Sequence, residues 1–86
     1  MPEKEAVAAT IEGFIRTAFG IETGAAGFSR TCDLFEEGFV DSIGLIKLIA
    51  FLEDTFGVVI EEEHLFDERF LSIDGQSALV AELTKP

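Results

Sequence analysis

The chain of 86 residues contains no Trp or Tyr, one Cys, two Pro, one His and only 6 basic residues. Each shortage excludes something. A single thiol, Cys32, cannot cross-link the fold, so nothing here asks for an oxidising compartment, and the side chain is expected to be a small packed group. With 6 basic residues against 17 acidic ones, the formal charge is −11. A field of that sign repels nucleic acid and anionic membrane surfaces and favours basic protein partners. No apolar run approaches the length of a membrane span. The first residues, Met1-Pro2-Glu3-Lys4-Glu5, are charged and lack a following signal-peptide core, so a cytoplasmic location is the expectation. Paired Cys or Cys/His clusters for zinc, an Asp-x-Asp calcium loop and a phosphate-cradling glycine loop are missing as well.

What remains is apolar volume. Hydrophobic residues make up 48% of the chain and nine of them are Phe, enough for one core in one domain spanning residues 1–86. Val7, Ile11, Phe14, Ile15 and Ala18 recur at helical spacing within Pro2 to Phe19, with Glu5, Glu12 and Arg16 largely off that face. Gly20 to Asp41 shows no convincing period and is expected to be a long loop held down by Phe28, Leu34, Phe35, Phe39 and Val40, with at most a short helical turn.

The segment from Ser42 to Phe56 predicts the central helix. Asp41 suits its N-cap and Gly57 its C-cap. Leu45, Leu48, Ile49, Leu52 and Phe56 form the stripe for burial, and Ile43, Ile46 and Ala50 make a second apolar row beside Lys47. A helix covered on every face is hard to arrange in so small a domain, so the second row is expected to face partners. Val58-Val59-Ile60 predicts an extended connector; Glu61-Glu62-Glu63 can start a helical turn or stay solvated, the solvated run being the expectation, with His64 at the surface beside it and its charged form favoured by the glutamates. A short helix is expected near Asp67 to Phe70, with Leu65, Phe66 and Phe70 pointing inward. Ser72 then caps a last helix from Ile73 to Thr84, whose core face is Ile73, Leu79, Val80 and Leu83. The fold class is therefore all-α: three main helices and one short one, with a long loop between the first two.

Ser42, His64 and several aspartates invite a catalytic triad. However, Ser42 stands in Val-Asp-Ser-Ile-Gly rather than a Gly-x-Ser-x-Gly elbow, and so few residues can hardly wall a water-free site. The expectation is a protein that catalyses nothing by itself. Ser42 draws notice because an irregular loop meets a helix start there, leaving its hydroxyl reachable. A phosphate on it would lie beside unpaired N–H groups and the positive end of the helix dipole. On local sequence alone, Asp41-Ser42 reads first as an ordinary cap.

The wider pattern shifts that reading. The run Asp33-Leu34-Phe35-Glu36-Glu37-Gly38-Phe39-Val40-Asp41-Ser42-Ile43 resembles the segment leading into the modified serine of acyl and peptidyl carrier proteins. The similarity continues through Leu48, Leu52-Glu53, Phe56-Gly57-Val58 and Glu68-Arg69-Phe70-Leu71-Ser72-Ile73. It implies a four-helix carrier bundle in which a phosphopantetheinyl transferase attaches 4′-phosphopantetheine covalently to Ser42, with Asp41 assisting recognition. The arm would hold an acyl or aminoacyl group as a thioester. Loading ligases and acyl-processing enzymes would dock on Ile43, Ile46, Lys47, Ala50, Glu53 and Asp54, and the carrier would act as a monomer. The alternative of another class is an unmodified, carrier-like acidic protein that binds one partner. Ile43 stands where Leu is common, Lys47 where fatty-acid carriers usually carry acid, and Gln76 where the last helix is usually apolar. The Leu34 to Ser42 run and Gly44 look more like D-alanyl and other freestanding peptidyl-type carriers.

Overall fold

Apolar residues three and four apart make each helix one-sided, and the computed structural model, which describes residues 4–22 and 24–84, packs those sides together. Helix α1 spans Lys4–Phe19, α2 Ser42–Phe56, α3 Glu62–Leu65 and α4 Ile73–Leu83, with a 3-10 turn at Glu68–Leu71 between the last two. No strand occurs among the described residues, and Val58-Val59-Ile60 is a connector without regular secondary structure. Residues 2 and 3 of the expected first helix lie outside the described residues.

The core draws Val7, Ala8, Ile11 and Ile15 from α1, Leu48 and Leu52 from α2, Phe70 from the 3-10 turn, and Ile73, Leu79 and Val80 from α4. Leu34 and Val40 of the long loop are buried with them. Phe14 stacks on Phe51 with ring centroids 4.0 Å apart, which ties α1 to α2 beyond simple area burial. Cys32 is half-buried and packs against the core, as expected of a lone thiol.

Four expectations need correction. Ala18 is exposed; the flank of the α1 stripe that sinks is Ala8, with Phe14 only half-buried. Phe66 is 82% exposed rather than inward, because it ends α3 and the chain changes helical phase there. Glu61-Glu62-Glu63 is more than a solvated run, since all three stay exposed while Glu62–Leu65 closes a helical turn. His64 is half-buried, and its Nδ1 accepts the Glu61 N–H at 2.8 Å, so the side chain takes part in capping α3 rather than standing free at the surface.

Gln76 is fully buried, and its Nε2 donates to the Phe70 carbonyl at 2.8 Å. The departure at this position thus serves to hold the 3-10 turn onto α4. Gly75 permits the same approach: a Cβ there would come 2.6 Å from the Arg69 Cα.

Candidate functional site

The site begins with the long loop, which is irregular but pinned along its second half. Arg30 reaches back to α1, donating from Nε to Glu12 at 2.8 Å and from Nη1 to Glu5 at 2.7 Å. Its carbonyl accepts the Asp74 N–H of α4 at 2.9 Å. The Glu12 carboxyl lies below the usual range, because the Arg30 guanidinium, and then that of Arg16, hydrogen-bonds its charged form. Further along, the Leu34 N–H donates to the Leu71 carbonyl, and the Leu34 carbonyl accepts the N–H groups of Phe39 and Val40. Asp33 closes the turn by accepting the N–H groups of Phe35 and Glu36. With Leu34 and Val40 sunk in the core, the next two residues emerge at the surface in a fixed place.

Those residues are Asp41 and Ser42. Asp41 is extended (φ −106°, ψ −173°), and its Oδ1 accepts the Gly44 N–H at 2.7 Å, capping α2 as the sequence predicts. Ser42 is the first helical residue and is exposed. Gly57 closes the other end in the left-handed region at φ 66°, again as predicted. Among the described residues, the N–H groups of Ser42 and Ile43 have no hydrogen-bond partner. An exposed hydroxyl thus sits beside two open donors at the positive end of a 15-residue helix, and a phosphodiester on that oxygen suits those groups.

The proposed partner row separates into two parts. Ile43 and Ile46 are each 69% exposed, as the packing argument required. Lys47 and Ala50, also exposed, line with Glu53 and Asp54 an open groove of about 680 Å³ whose other wall includes Phe14 and Ala18 of α1. Glu53 is half-buried, and its Oε2 accepts the Ile60 N–H at 2.9 Å, so this carboxylate is partly engaged in holding the connector. A residue periodicity within one helix could not reveal the α1 wall. The only hint of it was Ala18, the last and smallest residue of the α1 stripe.

A buried glycine was also missed. At Gly44 an added Cβ would lie 2.7 Å from Cε1 of Phe19, so the end of α1 closes over the first turn of α2. A second cleft, of about 340 Å³, opens beyond that contact between Phe19 and the loop residues Ile21, Glu22, Ala25, Gly38 and Phe39.

This architecture, a helical bundle presenting a serine at the head of its second helix, is that of a carrier domain. Residues 9–80 match the family described as Phosphopantetheine attachment site, and the chain belongs to that family. Its domains carry 4′-phosphopantetheine covalently on a serine, are modified by phosphopantetheinyl transferases, and act as non-catalytic carriers that interact with enzymes. No curated protein matches the chain. Among the described residues, no helix is long and apolar enough to cross a membrane.

Proposed function

We propose that Ser42 is the serine that carries the arm, and that the chain is a single cytoplasmic carrier unit presenting an acyl or aminoacyl thioester to partner enzymes. The observation that carries this reading is the placement of the Ser42 hydroxyl: exposed, first in α2, next to the open N–H groups of Ser42 and Ile43. Of the other serines, Ser72 uses its hydroxyl to accept the Gly75 N–H, and Ser77 is buried with its hydroxyl donating to the Asp74 carbonyl. Ser29 lies in the loop with its oxygen accepting the Cys32 N–H.

When bound, the arm supplies a thiol for thioester formation on a flexible tether, which raises the cargo's concentration at each partner's active site. The chain's own residues position it. Asp41 fixes the helix start, Leu34 and Val40 anchor the approach, and Ile43 and Ile46 offer apolar contacts to a docking enzyme. Asp54, exposed on the same helix, aids encounter with basic partners more than final affinity. The exposed Lys47 and the Leu34 to Ser42 run favour an aminoacyl or other peptidyl-type cargo over a fatty acyl chain.

Incubation with coenzyme A and a promiscuous phosphopantetheinyl transferase, read by intact mass, tests the assignment. The expected result is gain of one arm by the native chain and none by Ser42→Ala. If several transferases leave the native chain bare, the carrier role fails and the chain is an unmodified acidic interaction protein.

A further inference from the structure

We propose that the cleft between Phe19 and the α1–α2 loop receives the pantetheine arm folded back from Ser42 when no partner is engaged. The inference rests on Ser42 being the attachment residue and goes beyond it by giving the arm a resting place on this chain. Three observations lead there. Gly38 and Phe39, which line the cleft, precede Ser42 by four and three residues, and Phe19, on its opposite side, closes over Gly44 two residues beyond Ser42. The cleft therefore adjoins the tether point along the chain and across the fold, whereas the larger groove starts only at Lys47, more than one turn further down α2.

The cleft's character suits the arm's chemistry. Its walls combine the apolar side chains of Phe19, Ile21, Ala25 and Phe39 with the Glu22 carboxylate and glycine backbone. A pantetheine arm alternates in the same way, with a dimethyl-substituted carbon and methylene links between two amides. At about 340 Å³ the cleft lies at the small end of the range of ligand sites. A weak site suffices for a covalently attached occupant, because a short tether supplies an effective concentration of about millimolar order. Contacts behind the cleft brace its loop wall. Phe39 packs edge-on against Phe28 at 5.2 Å, and the Arg16 guanidinium lies 4.5 Å over the Phe28 ring while donating to the Glu22 carbonyl.

The test compares amide and methyl NMR spectra of the chain before and after arm installation, with intact mass read on the same samples. The expected result is displacement of the Ile21, Ala25, Gly38 and Phe39 signals, with contacts between the arm's methyl groups and the Phe19 or Phe39 rings. In Ala25→Phe, which fills the cleft, the arm is still installed by mass but the Gly38 and Phe39 displacements are lost. A mass gain with displacements confined to residues 41–43, or appearing instead along Lys47 to Asp54, overturns the resting place while leaving the attachment intact. Unchanged displacements at Gly38 and Phe39 in Ala25→Phe overturn it too. Absence of any mass gain overturns the attachment, and this inference with it.

Discussion

The ring of Phe19 lies directly over Gly44, with Cε1 2.7 Å from where a Cβ would stand. Two effects oppose each other when that Cβ is added. Alanine is favoured over glycine inside a helix by about 1 kcal/mol. Overpacking a filled site costs about 1–3 kcal/mol, and Asp41 Oδ1, 3.2 Å away, belongs to the cap itself. Gly44→Ala is therefore expected to destabilise by up to about 2 kcal/mol in urea unfolding, and Phe19→Leu in the same chain to recover part of the loss. Gly75→Ala should cost more, because the obstacle there is the Arg69 backbone rather than the edge of a ring. Equal costs at the two glycines would contradict this account.

Features that depend on near neighbours in sequence were legible before the structure. The Asp41 and Gly57 caps, the buried Leu48 and Leu52 and the exposed Ile43 and Ile46 follow from helical periodicity and capping chemistry. Features that depend on which helix lies opposite were hidden. Ala18 falls within the α1 stripe yet is exposed, while Ala8 at the stripe's side is buried, and periodicity within one helix does not say which neighbours cover each position. Phe66 reads as core until α3 stops at Leu65 and the 3-10 turn resets the phase. The Gly44 approach, the Arg30 bridge and both clefts join residues far apart in the chain, so no local pattern announces them.

The two faces of α2 should respond oppositely to substitution. Ile43→Asp and Ile46→Asp place charge on side chains that are each 69% exposed, so the folding midpoint should barely move while transfer to or from a partner enzyme falls. Leu52, fully buried, should cost about 2–5 kcal/mol when truncated to Ala. Chemical denaturation of the three variants beside a single-turnover loading assay separates the effects. Comparable unfolding in all three would show that the Ile43/Ile46 row is part of the core.

The Arg30 bridge makes stability depend on pH in a definite sense. Arg30, followed by Arg16, lowers the Glu12 pKa from its ordinary value of 4.5. A carboxyl whose folded pKa is depressed contributes stability that is fully present above the unfolded value and is lost as pH falls through the folded one. The melting temperature should accordingly decline as pH drops from about 4.5 downward, and Arg30→Gln should make that decline shallower. Asp67, similarly lowered by Arg69, adds a second acid-sensitive pair that this substitution leaves in place. Because Arg30 and Glu5 are partly solvent-exposed, added salt should shrink the difference between native and Arg30→Gln proteins. An acid slope unchanged by Arg30→Gln would mean the bridge does not contribute in solution.

Gln76 offers a sharper probe of how α4 holds the turn before it. Its Nε2 is bonded to the Phe70 carbonyl, while its Oε1 is buried with no partner among the described residues. Gln76→Met removes that orphan oxygen but strands the Phe70 carbonyl, and with volume nearly kept the net change should stay within about 1.5 kcal/mol. Gln76→Glu is different. As a carboxylate it would set a buried negative charge against the Phe70 carbonyl, whereas as a carboxylic acid it can donate to that oxygen as the amide does. Burial and loss of the donor both raise its folded pKa above the unfolded value of about 4.3. The variant should thus come closest to the native protein below that unfolded value, and fall behind as pH rises toward the raised folded pKa. Within that interval the difference should grow by about 1.4 kcal/mol per pH unit. Urea midpoints of native and Gln76→Glu chains, paired at each pH so that acid effects common to both cancel, give the difference directly. A gap that does not vary with pH would place residue 76 in contact with water and remove the hydrogen bond to Phe70 from the account of how the turn is held.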